Sequence, residues 1–372
     1  MKTDDKITMF KPYVNVEGAM TRLRSVLESG WIGEGPKVKA FERELQARFG
    51  YPHVLALNSG TSGLRLALAL AGVGPGDEVI TTAQTCSASN TPILEQFATP
   101  VFADVQYLTG NIDPLDIEHR ITEKTKAIMV VHWAGYPCDM DEIGAIARRH
   151  NLPVIEDGAH ALGAEYHGKA IGTISDYTMF SLQAIKHLTT GDGGLLTLLN
   201  EDKYHEGRRR RWFGIDRDNR TMREDGYMFW DQVEPGYKYQ MNDIAAAVGL
   251  ANLEWLSLIM LQRSLMAGYY RERLDGVPGV TLFDHRADRK SADWLFTMHV
   301  ERRDDFCRMM RSKDIEVSVV HIRNDVHGVF GGRREDLPML DKYEKTHISI
   351  PLHNHLSSDD IHRVTEAIRG GW

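Results

Sequence analysis

Two kinds of segment follow each other along the first part of the chain, apolar runs of strand length and segments with helical spacing. Residues 62–72 have the helical spacing and end at Gly72, a residue typical of helix C-termini. Residues 125–133 form a continuous apolar run, which is typical of a strand buried on both faces of a parallel sheet. A charged helical segment over residues 139–151 and another apolar run over residues 152–159 follow. This alternation predicts an α/β fold around a mostly parallel sheet.

The pattern changes near residue 245. A long helical segment covers residues 245–274, and the segments after it are shorter and strand-like. We therefore place a domain boundary at residue 250. Residues 1–250 are predicted to form a large domain around the sheet, and residues 251–372 a smaller C-terminal α+β domain.

Composition and charge exclude several classes of protein. The 372 residues include 44 Lys and Arg against 52 Asp and Glu, so the formal net charge is −8 at pH 7, whereas a general nucleic-acid binder would be basic. Three separated cysteines are too few for a disulfide framework, and no apolar run reaches the length of a membrane span. His353 and His355 have no further ligand beside them to complete a metal site. We expect a cytoplasmic protein without nucleic-acid, membrane or metal partners.

Three segments bear chemically active residues where ligands bind in an α/β fold. Residues 58–63 (NSGTSG) join a strand to a helix, so their N–H groups and hydroxyls suit a phosphate. Asp157 ends an apolar strand, and the carboxyl ends of parallel strands are where open sheets bind ligands. Lys186 follows a further strand and has apolar neighbours, which would lower its pKa by desolvation. Each segment alone would also be explained by helix capping or by a surface lysine.

Together, the three segments have the order that a pyridoxal 5'-phosphate enzyme needs. The phosphate of this cofactor requires a cup of hydrogen-bond donors, and its pyridine nitrogen stays protonated beside an ionised Asp. A lysine of lowered pKa forms a Schiff base with its aldehyde and then moves protons between substrate and cofactor. The residues therefore predict an aminotransferase in which Lys186 is the catalytic residue.

Over most of its length the chain resembles the DegT/StrS family of sugar aminotransferases. The likeness begins in SGWIGEGPKVKAFERELQARFG, continues in NSGTSGLRLAL, and is strongest in VIEDGAHALGAEYHGKAIGTISDYTMFSLQAIKHLTTGDGG. It extends to GYKYQMNDIAAAVGLANLE. The resemblance implies the fold-type-I architecture of pyridoxal-phosphate-dependent aminotransferases, with a large, mostly parallel α/β/α sandwich domain and a smaller C-terminal α+β domain.

The resemblance also implies roles for individual residues around the cofactor. Lys186 would bind its aldehyde, Asp157 would pair with its pyridine nitrogen, and His160 would lie beside its 3-hydroxyl. The residues implied to hold its phosphate are Gly60, Thr61, Ser62 and Ser181. Because the family works as homodimers with shared active sites, Lys238 would contact the cofactor bound to the partner subunit.

The chain departs from the family pattern at several positions. Many members have an aromatic residue that stacks on the cofactor ring where this chain has Cys86. His132 and Trp133 are the candidates to replace it, and we assign the stacking to Trp133. Lys238 stands where many members have Asn, so it would meet a phosphate by charge rather than through an amide. Substrate contacts are predicted at Trp31, His187, His321, Arg323 and His327.

The family's activity implies the reaction that we expect. An amino group would pass from L-glutamate, released as 2-oxoglutarate, to a keto group of a nucleotide-diphosphate-linked deoxysugar, at either C3 or C4. One branch of the family has His in place of the lysine and acts as a sugar 3-dehydratase, so Lys186 favours transamination. The alternatives are a keto sugar without a nucleotide, a keto-acid sugar or a keto-cyclitol as the acceptor, and a non-catalytic regulator that binds the cofactor.

Overall fold

The computed structural model of the chain describes residues 6–216, 219 and 221–372. The strands are β1 (His53–Leu57), β2 (Glu78–Thr82), β3 (Thr99–Ala103), β4 (Thr125–Val131), β5 (Val154–Asp157), β6 (Glu165–Tyr166), β7 (Lys169–Ala170), β8 (Tyr177–Ser181), β9 (Gly194–Leu198), β10 (Thr221–Met222), β11 (Met228–Phe229), β12 (Val280–Leu282), β13 (Arg289–Lys290), β14 (Phe296–Val300) and β15 (His347–Ile350). The helices are α1 (Val16–Ser29), α2 (Pro36–Phe49), α3 (Gly60–Leu70), α4 (Ser87–Glu95), α5 (Pro114–His119), α6 (Met140–His150), α7 (Glu201–Arg210), α8 (Asp243–Leu253), α9 (Leu256–Leu274), α10 (Arg303–Ser312), α11 (Pro338–Thr346) and α12 (Ser358–Arg369).

The central sheet has seven strands in the order β1-β9-β8-β5-β4-β2-β3. The strands β8, β5, β4, β2 and β3 are parallel to one another, and β9 runs antiparallel to both of its neighbours. The carboxyl ends of β5 and β8 therefore share an edge with the carboxyl end of β1 and the first residue of β9. The predicted α/β fold with a mostly parallel sheet is confirmed.

Both faces of the central sheet are buried. Along β4, Ile128 and Val130 point into one apolar cluster, and Ala127 and Met129 point into the cluster on the other face. This alternation is what a strand does when successive side chains point to opposite faces, and it explains why its sequence is apolar throughout. The helices α2 and α6 contribute to the first cluster and α3 to the second, which makes the sandwich.

A second sheet follows in the C-terminal part, with the order β12-β14-β15 and antiparallel pairing. It has an apolar cluster of its own, formed with α9, α10 and α12. Along α9 the side chains change clusters, because Leu256 packs into the first cluster and Met266 into the C-terminal one. Residue 250 lies inside α8. The domain boundary at that residue stays a prediction.

The helical pattern over residues 245–274 corresponds to two helices rather than one. The helices α8 and α9 are bent by 57° relative to each other. Among the described residues, no single helix is long and apolar enough to cross a membrane, and only this bent pair meets the criterion when its members are taken together.

Candidate active site

A cavity of about 420 Å³ opens at the carboxyl edge of the central sheet. Its wall combines the start of α3, the ends of β5 and β8, the loop between β8 and β9, and a segment of the C-terminal part around Trp294. The predicted residues that line it are Gly60, Thr61, Asp157, His160, Ser181, Lys186 and His321. The structure therefore brings together the phosphate segment, the strand-end carboxylate and the lysine.

Lys186 lies in the loop between β8 and β9 and reaches into this cavity. Removal from water lowers the pKa of Lys186 to about 7, and the negative charge of Asp157 acts in the opposite direction. Its Nζ lies 3.6 Å from the centroid of the Trp294 ring. Near neutral pH a large share of the amine is therefore uncharged, which is the form that attacks a carbonyl carbon.

The carboxylate of Asp157 is buried and held by two donors. The hydroxyl of Ser89 donates to Oδ2 at 2.6 Å, and the N–H of Ala159 donates to Oδ1 at 3.0 Å. Burial raises the pKa of Asp157, while these hydrogen bonds and the charge of Lys186 oppose that rise. These two hydrogen bonds fix the orientation of the carboxylate in the cavity, where it can pair with a cationic group.

Two histidine rings form another part of the wall. His160 stacks on Trp294 with ring centroids 3.8 Å apart, and His321 lies parallel to His160 at 5.9 Å. Burial lowers the pKa of His160 well below its usual value and that of His321 to about 4, so both are neutral at neutral pH. Nδ1 of His160 and Nε2 of His321 are buried without a hydrogen-bond partner among the described residues. Such atoms are available to a bound group.

The start of α3 forms the predicted phosphate cup. The Oγ of Ser59 caps the helix by accepting the N–H of Ser62 at 3.0 Å, and the Ser62 hydroxyl donates to Asn58. A Cβ on Gly60 would lie 2.9 Å from the Met179 Sδ and 3.4 Å from the Ser181 Cβ, so glycine gives this turn room to lie close to β8. The first N–H groups of a helix have no partner within the helix, which makes this cradle suitable for an anion.

Some predicted residues lie outside the cavity. Trp133 is fully buried behind it, with its ring edge-to-face to His160 and His321, and it does not belong to the wall of the cavity. The role of Trp133 as the stacking residue stays a prediction. The rings of Trp294 and Phe10, which stack on each other with centroids 5.6 Å apart, do line the cavity.

Two of the predicted substrate contacts, His187 and Arg323, are hydrogen-bonded to other protein groups. His187 is buried and its Nε2 hydrogen-bonds to the carbonyl oxygen of Ala292 at 2.7 Å. Arg323 is fully buried and donates to both carboxylate oxygens of Asp325, each at 2.6 Å, and to Asp341. The structure brings neither residue to the wall of the cavity, and their roles as substrate contacts stay predictions. Their polar groups are satisfied by partners that the sequence pattern does not identify.

The remaining predicted residues lie on the surface or beside another element. Trp31 is 60% exposed and donates its indole N–H to the carbonyl oxygen of Glu34, and His327 is exposed. Nζ of Lys238 lies 3.4 Å from the centroid of the Trp212 ring, and Lys238 does not line the cavity of its own subunit. The roles assigned to these three residues stay predictions.

Sequence reasoning missed Trp294 and Ser89. Trp294 belongs to an apolar stretch that reads only as a strand, and Ser89 lies within α4. Ser89 belongs to a segment after β2 that is rich in hydroxyl side chains, which is a weak indication of a polar site. Nothing in the sequence around Trp294 connects it with Lys186.

Comparison with known proteins decides the family. Residues 15–369 match the model of the DegT/DnrJ/EryC1/StrS aminotransferase family. The chain belongs to this family. This aminotransferase is 40% identical over 357 residues to the spore coat polysaccharide biosynthesis protein SpsC of Bacillus subtilis, an alignment that covers 92% of this chain and 91% of the relative. It is 32% identical over 382 residues to the UDP-4-amino-4-deoxy-L-arabinose–oxoglutarate aminotransferase of Shewanella sediminis, covering 98% of each.

Solved structures give the same result. The aminotransferase superposes on AtS13 of Actinomadura melliaura with a TM-score of 0.95 at 39% identity, covering 100% of each chain. It superposes on the sugar aminotransferase Spr1654 of Streptococcus pneumoniae, described as putative and solved in a PLP form, with a TM-score of 0.91 at 30% identity and 98% of each chain covered. The predicted fold-type-I fold and family membership are confirmed.

The enzyme depends on pyridoxal 5'-phosphate, as its family does, and PLP and PMP forms occur among its structural neighbours. The residues of the cavity fit this cofactor. The cavity offers a lysine with a lowered pKa, an oriented carboxylate, a histidine nitrogen without a hydrogen-bond partner in the described part of the chain, and a helix start whose glycine lies close to β8. These are the groups that an aldehyde, a protonated pyridine nitrogen, a hydroxyl and a phosphate each require.

Proposed function

We propose that this aminotransferase moves an amino group from L-glutamate to a keto group of a nucleotide-diphosphate-linked deoxysugar, with 2-oxoglutarate as the other product. The observation that carries the chemistry is the reach of Lys186 into a cavity that it shares with Asp157. Support for the substrates comes from a relative that is named for a UDP-linked amino sugar and oxoglutarate, and from another named for polysaccharide biosynthesis.

The residues of the cavity divide the work of holding the cofactor. Asp157 would pair with its pyridine nitrogen and His160 with its hydroxyl, and the phosphate would lie among Gly60, Thr61, Ser62 and Ser181. When bound, pyridoxal phosphate supplies an electron sink that stabilises negative charge on the substrate carbon. Thr61 and Ser181 line the same cavity as Asp157, which supports this division.

Lys186 would act as both base and acid at the reacting carbon. A pKa of about 7 gives its amine comparable populations of the neutral and protonated forms at neutral pH. The neutral amine takes a proton from the carbon of the amino donor, and the protonated amine returns one to the carbon of the acceptor. A lysine with its usual pKa would be almost wholly protonated and could not serve as the base.

His321 would contact the sugar. Its neighbour Val320 has a φ of +63°, which is rare for a β-branched residue, and the N–H of His321 donates to the carbonyl oxygen of Val319 at 2.7 Å. This tight turn directs a neutral imidazole, with Nε2 unpaired, to the wall of the cavity. Backbone strain of this kind persists where the surrounding structure imposes it, and it is concentrated at functional sites.

A titration with L-glutamate tests the proposal. The holoenzyme is expected to show the visible absorbance band of lysine-bound cofactor, and glutamate is expected to bleach it as the amino group is transferred. The bleached enzyme should recover the band when a nucleotide-linked keto sugar is added. L-Glutamine at the same concentration is the control for the donor.

Other outcomes of the titration identify the alternatives. Recovery of the band with a keto-cyclitol or a keto sugar lacking a nucleotide, but with no nucleotide-linked sugar, would contradict the proposed acceptor. A band that no amino donor bleaches would indicate the non-catalytic regulator. The absence of a band in the presence of added cofactor would contradict the proposal that Lys186 binds the cofactor.

We also propose that the enzyme is a homodimer in which Lys238 contributes to the partner's site. Lys238 contacts the phosphate segment of its own subunit, because its carbonyl oxygen accepts the side-chain N–H of Asn58 at 3.1 Å. Lys238 nevertheless does not line the cavity of that subunit. A lysine so placed would meet a phosphate across a subunit boundary by charge.

Hybrid dimers test the shared site. Co-expression of Lys186→Ala with Lys238→Ala under two affinity tags is expected to restore activity that neither homodimer has in full, because one site of each hybrid carries both wild-type residues. The control hybrid joins Lys186→Ala with Asp157→Asn and should stay inactive, because each of its sites carries one defect. Failure of the first hybrid to exceed its parents would contradict the shared site.

A further inference from the structure

Trp294 contacts the reactive amine but has no part in the proposed reaction so far. Its ring lines the cavity and lies 3.6 Å below Nζ of Lys186, and it stacks on His160 at 3.8 Å. The face of an aromatic ring attracts a cation, and an indole does so most strongly among the aromatic side chains. The ring therefore offers the amine of Lys186 a fixed position in which its protonated form is favoured.

Trp294 is itself held at three points, two on its backbone and one on its indole. The backbone N–H of Trp294 donates to the carbonyl oxygen of Ala134 at 2.9 Å, and its indole N–H donates to the carbonyl oxygen of Ile185 at 3.1 Å. The third point is its own carbonyl oxygen, which accepts Nη1 of Arg263 at 3.2 Å. Through Ile185, the indole is tied directly to the residue that precedes the catalytic lysine.

Arg263 is an unusual buried cation. Only 4% of it is exposed, and among the described residues its hydrogen bonds go to neutral oxygens. Besides the carbonyl of Trp294, these belong to Asp293, Leu352 and the side chain of Asn354, at 3.4, 3.0 and 2.9 Å. Burying a guanidinium among neutral acceptors is unfavourable, so its retention calls for a compensating role. Its planar fork joins the chain at Asp293 and Trp294 to the chain at Leu352, which a point charge on a flexible stem cannot do equally well.

The corner before Trp294 explains what this fork stabilises. Asp293 has a φ of +49°, in the left-handed region that side chains other than glycine rarely adopt. Its carbonyl oxygen is bound by Arg263, its carboxylate by Arg271 at 3.1 Å, and its N–H by the Ser291 hydroxyl at 3.0 Å. A strained residue held by three independent contacts sets the direction of the next side chain, which is Trp294.

We propose that Trp294 holds the amine of Lys186 during proton transfer, and that Arg263 is the positioning residue that fixes Trp294 in place. The inference rests on the proposed function, in which substrate displaces Lys186 from the cofactor and the released amine must then take up and return a proton at one place. The ring supplies that place. It limits the positions of a long, flexible side chain, which is an entropic gain in the proton-transfer step.

The charges that face this amine come from several elements. Asp157 of β5 and Cys86 before α4 favour its protonated form, and Arg263 of α9 disfavours it. The neutral rings of His160, His187 and His321 lie near enough for the charge of Lys186 to depress their pKa values. The effect of a substitution at Trp294 or Arg263 on Lys186 is therefore interpreted with these neighbouring groups unchanged.

The test uses the holoenzyme loaded with pyridoxamine phosphate, which has no aldehyde for Lys186 to bind. Lysine labelled with ¹³C at Cε is introduced in a deuterated background, and the Lys186 signal is assigned by its loss in Lys186→Ala. We expect its ε-protons to be shifted upfield of those of the other lysines by the ring current of Trp294. In Trp294→Leu and in Arg263→Met this shift should be lost, and in Trp294→Phe it should be partly retained.

Matched controls and kinetics complete the test. Trp255→Leu, at an exposed position directly before α9, and Arg273→Met, at a half-buried position within α9, should leave the shift unchanged. The single-turnover rate with glutamate should fall about tenfold in Trp294→Leu, the scale of a desolvated cation–π contact, with little change in the glutamate concentration for half-saturation, and Trp294→Phe should recover most of it.

Separate results overturn the inference and the proposed function. An unshifted Lys186 signal in the wild type, or a shift that survives Arg263→Met, contradicts the inference even if glutamate bleaches the visible band. Absence of that band contradicts the proposed function. If Trp294→Leu does not fold by circular dichroism, Trp294→Phe decides the matter, because an unchanged rate together with an unchanged shift in this variant also overturns the inference.

Discussion

Replacing Lys186 with alanine is expected to abolish the visible absorbance band and to lower transamination by at least about 10⁴-fold, because both the covalent link and the acid–base group are lost. The amine that is removed is the one with a pKa of about 7 in the cavity. Absorbance spectra and a coupled assay for 2-oxoglutarate measure the two effects.

Two further variants complete this first prediction. Lys186→Arg keeps a positive charge in the cavity but has no nucleophilic amine, so it should behave like the alanine variant. Lys169→Ala removes an exposed lysine on β7 and should keep the spectrum and the rate of the wild type. A Lys186→Ala protein with the wild-type spectrum would show that another residue binds the aldehyde.

Replacing Asp157 with asparagine is expected to lower kcat by about 10²–10³-fold, the scale observed when one preorganised polar group is removed from an active site. The amide has almost the same shape and its oxygen can still accept the N–H of Ala159, so the protein should fold and bind the cofactor. An amide cannot hold the pyridine nitrogen in its protonated form. The visible band should therefore persist while turnover is largely lost.

The Asp157→Asn variant also has an expected pH dependence. The charge of Asp157 raises the pKa of Lys186, so its removal should lower that pKa below about 7. The neutral amine then persists to lower pH, and the acidic limb of the single-turnover rate profile should move to lower pH. Stopped-flow measurements of the glutamate half-reaction across pH would show this shift. A profile that moves to higher pH would contradict the assigned interaction.

Asp104 supplies a matched control for this variant. It is another buried carboxylate, and it accepts the N–H groups of Met339 and Leu340 at 2.8 and 2.7 Å, away from the cavity. Asp104→Asn should lower thermal stability and leave kcat near the wild-type value. An equal loss of kcat in both variants would mean that the effect of Asp157→Asn is only structural.

Several features of the site follow from short stretches of sequence. A continuous apolar run predicts β4 because a strand buried on both faces needs apolar residues at successive positions. Asp157 ends β5, and the edge at which it lies follows from the rule that parallel strands share the direction of their carboxyl ends. Gly60 and Ser62 open α3 because small and hydroxyl residues suit a helix start. Each of these depends on neighbours a few residues away.

Other features depend on contacts across the whole chain. His187 is next to Lys186 in sequence, yet its ring hydrogen-bonds to Ala292, and Arg323 is bound by the distant Asp341 as well as by its near neighbour Asp325. Whether a charged or polar side chain faces a ligand or a buried partner is decided by the element packed against it. The sequence alone therefore does not say which side chains line the cavity, and the substrate contacts at His187 and Arg323 stay predictions.

Hydrophobic period, helix capping and strand direction act over short distances along the chain, so the sequence alone predicts the sheet, its ligand-binding edge and the three groups proposed to hold the cofactor. That Trp294 lies under Lys186 and is bound by Arg263 is visible only in the folded chain. That arrangement requires the C-terminal part to pack against the carboxyl edge of the central sheet, where its carbonyl groups and a buried guanidinium satisfy one another. Such pairing is fixed by three-dimensional packing and leaves no periodic trace in the sequence.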